Sequence, residues 1–325
     1  MRSNEEIQVL LILSVVEECL NERSYKGHLL TTKLHKIIYD VAEDLNLDIT
    51  RSWYLRGKYI WAGQDIITYF SNYNSLGELG DVIDNGLFKS VLGHTEDVVK
   101  KAAHAALNRF NVLYSNLNEY LSIMYKKDAP KEYKLLYSSH LSLKEIFDEI
   151  KGNIDGYLNR NSLLFYIKDS FGDITLPVSQ FSKTVFEYHK ELSKIGDLAN
   201  PVIEYTTLMD ELILGAEEKL RMENFKEEHF NFLSEVLEYY DTVVWKLPST
   251  YIAQKTIKGP RKEELLEKFE NQLNHLIEKI EAKIYDLEDK AYEIDLFPSE
   301  DYIAKRISDS KIAKEYQKLI QEYFV

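Results

Sequence analysis

The chain has 325 residues, with 40 Lys and Arg against 54 Asp and Glu, a net charge of −14. Thirteen glycines and six prolines are fewer than a sandwich, barrel or doubly wound sheet needs for its turns. An apolar content of 45 % and a charged content of 29 % exclude a disordered or collagen-like chain.

Residues 5–21 read as a first helix, apolar almost all round and therefore central. Its Val9–Val16 run is too short to span a bilayer, which takes about 20 residues. Glu5 and Glu6 stand where a signal peptide would carry basic residues. Together these predict a cytoplasmic protein without membrane association. The single cysteine, Cys19, lies in the same run, reads as a buried inert thiol and excludes a multi-cysteine zinc site. A second helix is expected from Leu30 to Leu47, with Leu34, Ile37, Ile38 and Val41 on one face and Lys33, Lys36 and Asp40 on others.

The period then changes. Ser52–Trp61 is aromatic-rich and interrupted by Arg56-Gly57, which predicts a β-hairpin turning at those two residues. Alternation puts Trp53, Leu55, Lys58 and Ile60 on one face and Tyr54, Tyr59 and Trp61 on the other. The glycines between 77 and 93 predict a connection and a boundary between an N-terminal domain, 1–94, and a helical domain, 95–325. In the second, one helix is expected from Thr95 or Glu96 to Tyr125, and others at 141–151, 161–170 and 177–195. Long helices over 201–246 and 261–295 are expected to pair as an antiparallel hairpin. A short helix after Pro298-Ser299 and a last one from Ser310 to Phe324 close the chain. The fold class is mainly α: a small helical domain with one hairpin, winged-helix-like at most, and an elongated helical domain.

Several chemistries lack their residues. No two histidines are four apart and none has Glu three residues before it, so zinc-protease helices and di-iron ligand pairs are missing. Phosphate-binding glycine loops and the Gly-x-Ser-x-Gly elbow are missing too. No metal or cofactor is expected. Arg23 and His28 form an Arg-x4-His pattern that resembles the motif of the all-helical HEPN ribonucleases, in which Arg would stabilise phosphorane charge and His would move a proton.

Residues 23–60 hold seven Lys or Arg against four Asp or Glu in an otherwise acidic chain. Lys33, Lys36, Arg51, Arg56 and Lys58 are therefore candidates for a cationic surface that holds phosphates or a protein partner. Trp53, Tyr54 and Tyr59 are candidates for stacking against a partner. The segments Leu34-His-Lys-Ile-Ile-Tyr39 and Trp53-Tyr-Leu-Arg-Gly-Lys-Tyr59 resemble the Leu-Gln-Lys-Leu-hydrophobic-Tyr helix and Tyr-Gly-Pro hairpin of the Panacea/SocA-like and YwgA-like families. That resemblance implies an antitoxin, adaptor or regulatory role; Lys58 stands where those families commonly have Pro. The expected function is a non-catalytic regulatory or interaction protein, recognising a protein or nucleic acid and using its helical part for self-association or reach. The alternatives are a HEPN-like ribonuclease and a purely structural scaffold.

Overall fold

The computed structural model describes residues 2–80, 85–158 and 176–309. Over these residues the chain is mainly α, with one antiparallel two-stranded hairpin. None of the described helices is long and apolar enough to cross a membrane. The chain divides into two units, Met1–Leu141 with Lys246–His275 and Ser142–Trp245 with Leu276–Val325. The boundary expected at 94/95 is therefore misplaced. The glycines near 77–93 do not mark a boundary: Leu76 before them and Phe88 and Leu92 among them are buried, and the helix that follows belongs to the first unit.

In the first unit, α1 (Asn4–Glu22) opens with a reciprocal Ser3/Glu6 cap, which satisfies two amide donors at the helix start. Its Val9–Val16 run is buried almost all round, by α2 (Thr31–Asp44), α3 (Gln64–Tyr73), α4 (Asn85–Leu87, continued as a π turn to Leu92) and α5 (Glu96–Asn108). The α3 helix was not expected. Ile66, Ile67 and Phe70 give it a buried stripe, and Gly63 and Asn74, both left-handed, end it on either side.

Strands β1 (Arg51–Tyr54) and β2 (Gly57–Ile60) form the hairpin. Leu55-Arg56 is the turn, not Arg56-Gly57, and Trp53 faces Lys58. Each pairing is displaced by two residues from the expected one. An even displacement preserves which side chains share a face, so Tyr54, Tyr59 and Trp61 still cluster, at ring separations of 4.9–5.4 Å. Gly57 is required at its place: its φ is +93°, and a Cβ there would lie 2.6 Å from the Met124 methyl.

The tyrosine face packs on α11 (Lys246–Thr256) and the start of α12 (Lys262–Glu293), against Ala253, Ile257, Leu265 and Phe269. Arg51 and Lys258 exchange backbone bonds of 3.0 and 2.9 Å. The other hairpin face meets α2 and the tyrosines of α6 (Leu117–Asp128) and α7 (Lys134–Leu158); Trp53 lies 6.5 Å from Tyr125 and 5.5 Å from Tyr137.

The single helix expected over 96–125 is two helices, α5 and α6, separated by a turn at 109–116. In the second unit, the helix expected over 201–246 is divided at 222–226, where Glu223 has φ +55°. Its parts, α9 (Asn200–Arg221) and α10 (Glu227–Tyr239), fold back on each other; the Tyr205 hydroxyl donates to the Val236 carbonyl at 2.9 Å. The α10 and α12 helices run antiparallel, joined by Lys283 and Lys290 on Glu235 and by Tyr239 on the Lys279 carbonyl. Phe147, Phe181, Tyr240 and Trp245 pack with Tyr188 of α8 (Val178–Leu192) as an aromatic core. The short helix after Ser299 is α13 (Glu300–Asp309). The helices expected at 161–170 and over 310–324 lie outside the described residues.

Candidate functional site

Lys33, Lys36 and Asp40 stand at intervals of three and four on α2, so they share one face. That face points inward. The Lys33 ammonium donates to the Ser115 carbonyl and the Lys36 ammonium to the Lys58 carbonyl, both at 2.8 Å. Lys58 reaches between two carboxylates, Asp40 and Asp128. Arg109 closes the network, 2.9 Å from Asp128 and 3.4 Å from Asp40. The Arg51 guanidinium is spent on the Leu47 and Ile49 carbonyls at 2.9 and 3.1 Å.

The expected cationic surface is therefore not formed. Lys33, Lys36, Arg51 and Lys58 are buried, and only Arg56, at the hairpin tip, is exposed. The reason is coverage: α2 is enclosed by α1, α5 and the hairpin, so its polar positions must find internal partners. The stacking candidates are corrected likewise. Trp53 and Tyr54 are buried, and Tyr59 is packed between Tyr54, Trp61 and His35.

Burial shifts the titration of this region. It holds Lys36 well below the usual lysine range and lowers Lys33. Burial raises Asp40, against the opposing pull of Lys58. His35 is pushed down to about 3 by burial. Its Nδ1 accepts the Ile60 amide at 3.3 Å and its ring stacks on Tyr59 at 4.2 Å, an arrangement that needs the neutral imidazole.

This gives a signed pH dependence. An unfolded His35 takes up its proton near pH 6.5, the folded one only near 3. Its contribution to stability is full above pH 6.5 and is lost as pH falls from there towards 3, with a slope of up to about 1.4 kcal/mol per unit. Urea midpoints measured across that range are expected to fall less steeply in His35→Phe than in the parent chain. Equal slopes would remove His35 as the cause.

The buried charges support one exposed feature, the turn at 109–116. Phe110 and Asn111 are consecutive non-glycine residues at φ +52° and +55°, a left-handed pair that costs energy, more for Phe than for Asn. Four sets of interactions hold the turn. Arg109 is fastened by Asp40 and Asp128, Lys33 bonds to Ser115, the Tyr25 hydroxyl donates to Leu113 at 3.2 Å, and the Ser115 hydroxyl donates to Asn111 at 2.9 Å. Val112 and Leu113 anchor it in the core. The Phe110 ring has two cations near it, the Arg109 guanidinium at 5.2 Å and the Lys127 ammonium at 5.3 Å. Tyr114 projects with 69 % of its surface exposed, edge-on to Tyr25. Nothing in the sequence marks this turn, because Phe110, Leu113, Leu117 and Leu121 keep helical spacing through it.

The Arg-x4-His pair is not assembled as expected. Arg23 bonds to Asn108 Oδ1 at 2.8 Å and to His104 Nδ1 at 3.0 Å, both on α5, while His28 is exposed on the connection between α1 and α2. The other nitrogen of His104 lies 3.2 Å from Glu22, and Glu22 also holds Lys100 at 2.6 Å. Cys19 is beside them, and burial pushes its thiol up to about 11, so it is no reactive thiolate at neutral pH. His104 lies far from Cys19 and Glu22 along the chain, so no spacing rule finds this group.

No curated protein and no solved structure matches the chain. A family model does, over residues 2–325, nearly the whole length described above, and the chain belongs to that family, a domain of unknown function designated DUF8098.

Proposed function

We propose that the protein is a non-catalytic recognition protein whose first unit presents the 109–116 turn to a protein partner. The observation that carries this is the strained Phe110–Asn111 pair, fixed from below by buried charges and hydrogen bonds. Backbone strain concentrates where it serves a purpose, and it persists only where the surroundings over-determine it. The exposed Tyr114 and the half-buried Arg109 and Phe110 are of the kinds that dominate protein interfaces. Lys33, Lys36, Arg51 and Lys58, which were to hold phosphates, are buried, which favours a protein over a nucleic acid. The likeness of the α2 helix and hairpin to antitoxin and adaptor families agrees with a regulatory role.

The test is a photo-crosslinking amino acid in place of Tyr114, with the same substitution at Tyr285, equally exposed in the second unit, as control. In extracts of the source organism, a discrete nuclease-resistant protein adduct is expected from position 114 and not from 285. Its yield should fall at least severalfold when Phe110→Ala and Arg109→Ala are added. An adduct destroyed by nuclease, or no adduct specific to position 114, would overturn the reading.

A further inference from the structure

We propose that Cys19, Glu22 and His104 form a zinc(II) site at the end of α1. Their ligand atoms all lie within 4.8 Å of one another. Cys19 and Glu22 are three residues apart on α1 and so share a face, and α5 brings His104 against it. Thiolate, imidazole and carboxylate together suit zinc rather than magnesium or calcium, which take oxygen ligands. A tetrahedral zinc with bonds of about 2.0–2.3 Å separates its ligand atoms by roughly 3.5 Å. The 3.2 Å between Glu22 Oε2 and His104 Nε2 is close to that spacing, and the remaining closure is within side-chain motion.

The site also has an entrance. Cys19 is buried, while the Glu22 and His104 side chains are 48 % and 35 % exposed. The ion therefore enters from solvent and keeps a fourth position for water. Charge balances: the thiol loses its proton to solvent on binding, and thiolate plus Glu22 neutralise the dication. Lys100, which bridges Glu22 and Glu18 at 2.6 and 3.1 Å, keeps Glu18 when Glu22 turns to the metal. Arg23 opposes binding. It donates to His104 Nδ1, which leaves the ring proton on Nε2, towards Glu22. Metal at Nε2 moves that proton to Nδ1, so Arg23 must let go of the ring and retain Asn108.

Cobalt(II) is the probe, because its thiolate complexes absorb in the near ultraviolet and its tetrahedral complexes in the visible. The full chain is expected to bind one equivalent with both signatures and to lose them when zinc is added. His104→Ala and Glu22→Gln, both at partly exposed positions, should each weaken binding on the order of tenfold or more, and Cys19→Ser should abolish the ultraviolet band. Arg23→Gln should bind at least as tightly as the parent. Absence of the thiolate band in the parent chain, the same affinity in His104→Ala, or weaker binding in Arg23→Gln would each overturn the site.

Discussion

Lys58→Met is expected to destabilise the folded chain by about 3–5 kcal/mol, because removing one member of a buried ion pair leaves the other uncompensated. Here two carboxylates, Asp40 and Asp128, lose their shared cation, and Arg109 is left to pair with both. Lys36→Met is expected to cost far less, within about 1.5 kcal/mol, although Lys36 is as deeply buried. Its ammonium bonds to a carbonyl and makes no ion pair with a carboxylate; burial, with Arg56 and Lys58 ahead of the opposing pull of Asp40, already disfavours its charge. A straight apolar chain of similar length fills the same space. Adding Asp40→Asn to Lys58→Met should recover part of the loss, since it removes one stranded charge. Chemical denaturation of the three variants measures this. Equal losses in Lys58→Met and Lys36→Met would mean that packing, not charge, holds the centre together.

The same network explains what could and could not be read from the sequence. The α1 helix was legible because a run as apolar as Val9–Val16 has nowhere to go but inside. The two faces of the hairpin were legible because alternation survives a register displacement of two residues; the turn position was not, because Leu55 takes φ +34°, a conformation its residue type does not announce. The inward direction of Lys33, Lys36 and Lys58 was illegible for a different reason. Composition marks a lysine as a surface residue, and its burial depends on Ser115, Asp40 and Asp128, partners that only the fold brings near. The turn at 109–116 was hidden by its own hydrophobic spacing. Places where a consistent local pattern is overridden are where function is to be sought, and here the override is held by Arg109 on Asp40 and Asp128 and by the buried Lys33.

Gly215→Ala is expected to be the most damaging glycine-to-alanine change among the described residues of the second unit. Gly215 lies within α9, where alanine would ordinarily gain about 1 kcal/mol over glycine. A Cβ there would stand 1.7 Å from the Leu296 carbonyl oxygen and 2.8 Å from its carbon. Both are backbone atoms, so no rotamer change relieves the overlap, and the chain around 296 must move away. That movement pulls on every contact fastening the following segment to α9. The Ser299 amide and hydroxyl donate to the buried Glu218 at 2.7 and 2.6 Å, Tyr302 donates to Glu217 at 2.7 Å, Arg306 pairs with Glu217, and Lys219 pairs with Asp295. Overpacking alone costs about 1–3 kcal/mol; the buried Glu218 left without the Ser299 donors, and Glu217 left with Arg221 of its own helix, add to it. The expected result is a loss of at least about 3 kcal/mol, with amide exchange rising sharply over 296–309. Gly152→Ala and Gly156→Ala, on α7 where a Cβ meets nothing within 4 Å, are the matched controls and are expected to stabilise by up to about 1 kcal/mol. Unchanged exchange over 296–309 in Gly215→Ala would show that the segment is held without the close approach at Leu296.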